Sequence, residues 1–133
     1  MLVVVAKAVL FAVALFFSVL GLLALVRPDA AKRFLLGFAT SASKHYLELS
    51  LRLLAGGAML TGAPHSAQPV GLAVFGWLLI GTTVLMALVP WRTHRRFAET
   101  SVPQALRFLP IIGVSSFALS GWLLWSVFIA SAA

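Results

Sequence analysis

The sequence predicts an all-α fold: a bundle of four transmembrane helices with one short amphipathic helix on the membrane surface. Of 133 residues, 62% are hydrophobic, and the chain has only ten Lys or Arg and three Asp or Glu. Soluble domains average about half apolar and about a quarter charged residues. Segments of about 20 apolar residues cross a bilayer, and four of them nearly fill the chain. We therefore expect residues 1–133 to form a single integral membrane domain.

The four spans are predicted at about 3–26, 42–62, 69–89 and 103–131. The apolar core of a signal peptide has about 7–15 residues; the first segment is longer, so we expect an uncleaved helix. The prolines and glycines of Thr61–Gly71 indicate a turn that divides a long uncharged stretch into spans two and three. Pro103 suits the first turn of span four. Pro110 should kink this span or mark its start.

The stretch "RPDAAKRFLLGF" (Arg27–Phe38) is typical of a short surface helix. A proline and an acid stand at its start, where both are favourable. Ala31, Phe34 and Phe38 fall on one side of such a helix, and the basic residues fall elsewhere. We predict that this helix lies on the inner membrane surface between spans one and two.

The positive charges predict the orientation of the chain. Lys and Arg concentrate in the linkers 27–41 and 90–102, whereas the loop between spans two and three and the C-terminal tail carry none. The positive-inside rule places the two basic linkers in the cytoplasm and both termini outside. The net charge of +7 is then explained without a nucleic-acid partner. The partners we expect are the lipid bilayer and either a second copy of the chain or a larger membrane protein.

Two pairs of segments resemble each other along the chain. "ALVRPDAAKRF" (Ala24–Phe34) is similar to "ALVPWRTHRRF" (Ala87–Phe97), and "LRLLAGG" (Leu51–Gly57) is similar to "LRFLPIIG" (Leu106–Gly113). The first interpretation is a duplication into two hairpins in parallel orientation, as in some transporters. The second is convergence, because basic residues beside apolar helices look alike in unrelated sequences.

Span two carries a polar stripe. With about 100° per residue, His45, Glu48 and Arg52 fall within about 60° of one another. Gly56 continues the same face. Because an ionised residue at a helix centre costs about 2.5–3.5 kcal/mol, and an acid four residues before a base pairs well, we predict that Glu48 bridges Arg52 and Arg107. His45 should lie at the cytoplasmic edge of this cluster.

Three interpretations of the stripe remain open. The charges could lock helix packing, form a site for a ligand, ion or lipid headgroup, or let Arg52 extend toward the headgroups. Arg52 lies about ten residues from the inner end of its span, about 15 Å at helical rise, which makes the last interpretation strained.

Small residues predict close helix packing, and the candidates are Gly56, Gly57, Gly76, Gly113, Ser116 and Ser120. A serine nucleophile would need a base, and no histidine lies at that depth, so we predict no catalytic residue. His45, His65 and His94 show no metal-ligand spacing, and His65 lies on the opposite side from the other two. We expect no metal or cofactor.

The run Arg-Leu-Leu-x-Gly-Gly (Arg52–Gly57), the chain length and the basic linker after span three resemble small four-helix bacterial membrane proteins of the DoxX-like type. This resemblance implies a multi-pass protein of the bacterial inner membrane. Small multidrug transporters also have four short spans and a lone membrane glutamate. Their glutamate lies in the first span, whereas Glu48 lies in the second beside Arg52, which argues against their proton-coupled export mechanism.

Three functions follow from these features. The leading one is a non-catalytic membrane component: a subunit, an assembly factor or a lipid-associated scaffold. The alternatives are a small-solute or proton-coupled transporter that uses Glu48, and a membrane enzyme that binds lipid or quinone. A dry, paired Glu48 favours the first, a water-accessible cavity favours the second, and a deep apolar groove beside His45, Glu48 and Arg107 favours the third.

Overall fold

A computed structural model describes residues 1–37 and 40–129, and this part of the chain is almost entirely helical. The helices are α1 (Leu2–Val26), α2 (Pro28–Gly37), α3 (Ala42–Gly62), α4 (Pro69–Leu88), α5 (Trp91–Ala105) and α6 (Leu109–Leu124). Short 3-10 turns at Ala63–His65 and Leu106–Phe108 and a π-helical turn at Trp125–Ile129 complete the fold. The predicted all-α class is confirmed.

Three helical stretches are long and apolar enough to cross a membrane: Leu2–Val26, Pro69–Leu88 and the continuous run Trp91–Ile129. These stretches agree with a membrane protein. Helix α3 is not among them, because its first half carries Glu48 and Arg52 beside other polar residues. The structure thus supports three of the four predicted spans by length and composition.

The fourth predicted span begins later than expected. Helix α6 starts at Leu109, whereas Pro103 lies in the last turns of α5. Pro110 is near the start of α6, where its missing N–H has no helical acceptor to lose. The predicted linker 90–102 is therefore mostly helix rather than loop. Residues 130–131 of the predicted span lie outside the described residues.

The short helix predicted after span one is present as α2, and its place on the membrane surface stays a prediction. Ala31 is fully buried, and the Phe34 ring lies 6.0 Å from the ring of Phe16 in α1. The third residue of the predicted apolar face, Phe38, lies outside the described residues. Helix α5 is a second amphipathic helix, which buries Ala98 and leaves its arginines exposed. Helices α2 and α5 pack against each other at one end of the bundle.

The helix order agrees with a duplication. A long helix, a short amphipathic helix and another long helix occur twice, as α1–α2–α3 and as α4–α5–α6. The most extensive packing joins α1 to α6 and α3 to α4, and these two pairs are equivalent if the halves are equivalent. The repeat itself stays a prediction.

Each of these helix pairs crosses at two glycines. A Cβ atom on Gly21 would lie 2.9 Å from the carbonyl oxygen of Gly113, and one on Gly76 would lie 3.0 Å from the carbonyl oxygen of Gly56. Backbones this close leave no room for a side chain. Gly57 differs from the prediction, because a Cβ there would meet no atom within 4 Å in the described part of the chain.

The predicted packing serines also lie at a helix contact. Ser120 of α6 donates a hydrogen bond to the carbonyl oxygen of Ala14 in α1 (2.7 Å), and its hydroxyl lies 2.8 Å from that of Ser18. Ser116 is buried and donates to its own helix. The larger apolar core joins α1, α3, α4, α6 and the turns at Ala63–His65 and Trp125–Ile129. Its buried residues are Ala6, Leu10, Ala14, Ala58, Met59, Ala63, Leu72, Leu123 and Val127.

The neighbouring glycines of α3 give a matched test of the α3/α4 crossing. In Gly56→Ala the new methyl would lie 2.7 Å from Ile80 Cγ1 and 3.1 Å from the Gly76 carbonyl oxygen, so we expect a loss of about 1–3 kcal/mol from overpacking. Gly57→Ala should instead be neutral or stabilising by up to about 1 kcal/mol through helix propensity. Thermal unfolding in detergent measures both; equal melting temperatures for the two variants would contradict the crossing.

Candidate functional site on the polar face of helix α3

Helix α3 places His45, Glu48 and Arg52 on one face, in line with the helical period. The helix begins after Ser41, whose hydroxyl accepts a hydrogen bond from the backbone N–H of Lys44. The face that carries Glu48 and Arg52 is turned toward α4. The opposite face presents a stripe of exposed leucines, namely Leu47, Leu51 and Leu54. Helix α3 therefore has a polar side toward the protein and an apolar side toward its surroundings.

Arg52 is held by α4. Its Nε donates a hydrogen bond to Thr83 Oγ1 at 3.0 Å, and its Nη2 donates to Thr82 Oγ1 at 2.8 Å. Both threonine hydroxyls donate their own protons to backbone carbonyls of α4, which leaves their lone pairs for the guanidinium. The remaining nitrogen, Nη1, lies 3.8 Å from Glu48 Oε1. All three guanidinium nitrogens thus have a polar neighbour.

Glu48 is the looser member of this ion pair. Its side chain is 28% exposed and that of Arg52 is 29% exposed. A separation of 3.8 Å between charged atoms is an electrostatic contact but is too long for a hydrogen bond. The threonine hydroxyls, rather than Glu48, are therefore the main anchors of Arg52.

Arg107 does not join the cluster. It is exposed in the 3-10 turn before α6, and no ion pair links it to Glu48 in residues 1–37 and 40–129. The reason lies in the packing, because α6 lies along α1 whereas α3 lies along α4. The predicted bridge from Glu48 to Arg107 is absent from the described structure.

His94 of α5 takes a place in the site that the sequence did not indicate. Its ring centroid lies 4.6 Å from that of His45. His45 is only 3% exposed, and its Nδ1 is buried without a hydrogen-bond partner in the described part of the chain. One ligand atom each from His45, Glu48 and His94 lies within 4.8 Å of the others. The predicted orientation already placed both histidines on one side of the membrane, but not in contact.

A shallow apolar groove lies elsewhere, between α1 and α6. Its lining consists of Phe17, Ile111, Ile112, Ser115, Ser116 and Leu119. None of the residues of the α3 cluster contributes to it. This groove is therefore not the lipid or quinone site that the sequence suggested beside Glu48.

No protein-family model, curated protein or solved structure gives a significant match to this chain. The likeness to DoxX-like proteins thus stays an expectation from the sequence, and the geometry described above carries the functional argument.

Proposed function

We propose that this chain is a non-catalytic component of a membrane, a small subunit, assembly factor or scaffold, with α3 as its fourth span. The observation that carries this proposal is the pair of hydrogen bonds from Arg52 to Thr82 and Thr83 of α4. A charged group that is hydrogen-bonded to a neighbouring helix within the membrane fixes helix packing. Two of its three nitrogens already donate to α4, and the third lies beside Glu48, which would repel a transported anion.

The two faces of α3 support a membrane crossing. Its 21 residues extend about 31 Å at helical rise, close to the thickness of a bilayer core. The exposed leucines face away from the bundle, and the charged groups face α4. Helix α3 also packs between α1 and α4, both of which are apolar enough to span.

The surroundings of Glu48 favour a component over a carrier. A carrier glutamate must exchange protons or solute with both sides through a water-filled path. Here the carboxylate lies near Arg52 and two histidines, and the groove between α1 and α6 is not lined by Glu48. Large apolar surfaces on the outer faces of α1, α3, α4 and α6 suit lipid or a larger membrane partner.

The orientation we propose follows the positive-inside rule. Helices α2 and α5 carry most of the arginines and lie at the same end of the bundle. This end would face the cytoplasm of a bacterial inner membrane, and the turn at Ala63–His65 would face outside.

The two hydrogen bonds from Arg52 to Thr82 and Thr83 form what we call the Arg52 lock. Removal of the Thr83 hydroxyl tests it. Thr83→Val keeps the side-chain shape, and it should lower stability by about 1–3 kcal/mol because the Arg52 guanidinium loses its hydrogen bond to the buried Thr83 hydroxyl. Thr61→Val is the matched control, since Thr61 likewise donates to a backbone carbonyl four residues earlier but has no arginine beside it. Thermal unfolding in detergent should show a clear drop for Thr83→Val alone. Equal melting temperatures would contradict the lock.

The variant Glu48→Gln tests whether the chain is a structural membrane component or a transporter. We expect it to lower the melting temperature less than Thr83→Val, because the Glu48–Arg52 contact is long and partly exposed. Liposomes that contain the wild-type chain should show no proton or solute flux that depends on Glu48. A flux that Glu48→Gln abolishes without a change in stability would overturn the proposal in favour of transport.

Single cysteines test whether α3 crosses the membrane, since the chain contains no other cysteine. A label that cannot cross the membrane should modify Ser66→Cys from outside and Asp29→Cys only after permeabilisation. The two sites flank α3, and Asp29 is well exposed, so labelling of both from the same side would show that α3 does not cross. Labelling of Asp29→Cys from outside and of Ser66→Cys only after permeabilisation would agree with a crossing by α3 and would overturn the proposed orientation.

A further inference from the structure

His45, Glu48 and His94 form a cluster with the donor set of a transition-metal site. The ligand atoms of the three side chains all lie within 4.8 Å of one another. They come from two separate elements, the first two turns of α3 and the first turn of α5. Two imidazoles and a carboxylate are the protein ligands of many zinc sites, with a fourth position left for water or another small ligand.

The second observation concerns His45 itself. The imidazole is 3% exposed, and within the described residues its buried Nδ1 has no hydrogen-bond partner. A buried polar atom without a partner costs about 1–3 kcal/mol in an ordinary core, and such groups are rare. We take this nitrogen as the His45 ligand atom, because a coordinated metal ion would supply the missing partner.

We propose that His45, Glu48 and His94 bind one divalent transition-metal ion of the Zn²⁺ class. Metal–ligand bonds of about 2.0–2.2 Å place tetrahedral ligand atoms about 3.3–3.6 Å apart. The present separation of up to 4.8 Å therefore needs a closure of up to about 1.2–1.5 Å. Rotation of the half-buried Glu48 and His94 side chains provides this movement without a shift of either helix.

The Arg52 lock permits Glu48 to take this role. Arg52 keeps its two hydrogen bonds to Thr82 and Thr83 when the carboxylate turns away, so the guanidinium is not left alone. Its positive charge still opposes a dication at close range. We therefore expect weaker binding than at a His₂Glu site without a nearby arginine.

Metal binding would fix α5 to α3. Within the described chain, Ala98 is the one buried residue of α5, and few contacts hold this helix to the bundle. A shared ion would connect the first half of the chain to the second at the end where α2 and α5 meet. This inference does not depend on the proposed function, because metal binding is measured whatever the chain does in its membrane.

The test uses the full-length chain without a histidine tag, in detergent, stripped by a chelator and titrated with Zn²⁺ by calorimetry. We expect one ion per chain and a rise in melting temperature with the metal. His94→Gln should weaken Zn²⁺ binding by at least about tenfold. Even residues that only hydrogen-bond to a metal ligand change metal affinity by about tenfold or more. His94 is half-buried on α5, so this variant should fold, which the melting temperature without metal verifies.

His65→Gln is the matched control, because His65 is exposed in the 3-10 turn at the other end of α3. Its Zn²⁺ affinity should equal that of the wild type. Co²⁺ in place of Zn²⁺ should give the visible absorption of a four-coordinate ion in the wild type and in His65→Gln, and lose it in His94→Gln. Absence of a saturable site, or equal Zn²⁺ affinity in His94→Gln and wild type, would overturn the proposal.

Discussion

The guanidinium of Arg52 is the constraint on which the arrangement of α3 depends. An arginine stays charged in a protein, so it cannot avoid the cost of leaving water by losing a proton. It needs acceptors at the middle of α3, and the consecutive hydroxyls of Thr82 and Thr83 on α4 provide two. Helix α4 must then lie close, which the contact of Gly56 with Gly76 one turn away allows. The charge thus selects the neighbouring helix, and the glycines set the distance between the two backbones.

Helices α1 and α6, the other main pair, are held together by neutral polar groups. Helices α1 and α6 approach at Gly21 and Gly113 and are linked through the hydroxyls of Ser18 and Ser120. Neutral hydroxyls in an apolar surrounding need partners but give up less hydration than an ion does. Both pairs therefore combine a close backbone approach with a polar contact. Of these two helix pairs, α3/α4 is the one that contains an ion pair among the described residues, Glu48 with Arg52.

Local rules predicted much of this structure. The lengths of apolar runs gave α1, α3 and α4 to within about a residue at most ends, and the helical period aligned His45, Glu48 and Arg52. The same rules do not state which helices pack together. The choice of α4 rather than α6 as the neighbour of α3 explains why Thr83 binds Arg52 and why Arg107 does not reach Glu48. The basic residues of linker 90–102 were interpreted as an orientation signal and not as part of an amphipathic helix. His94 was therefore not expected beside His45.

Glu48 differs from Arg52 in its part in helix packing. It contacts Arg52 over 3.8 Å, while Arg52 is already bound to two hydroxyls. Packing of α3 against α4 therefore does not require the carboxylate, and an acid kept only for packing would be expected to form a shorter contact. The carboxylate lies instead near two imidazoles, one of them buried with an unpartnered nitrogen among the described residues. In the arrangement observed, Arg52 holds the helices together, and Glu48 remains available for a cation that the histidines can share.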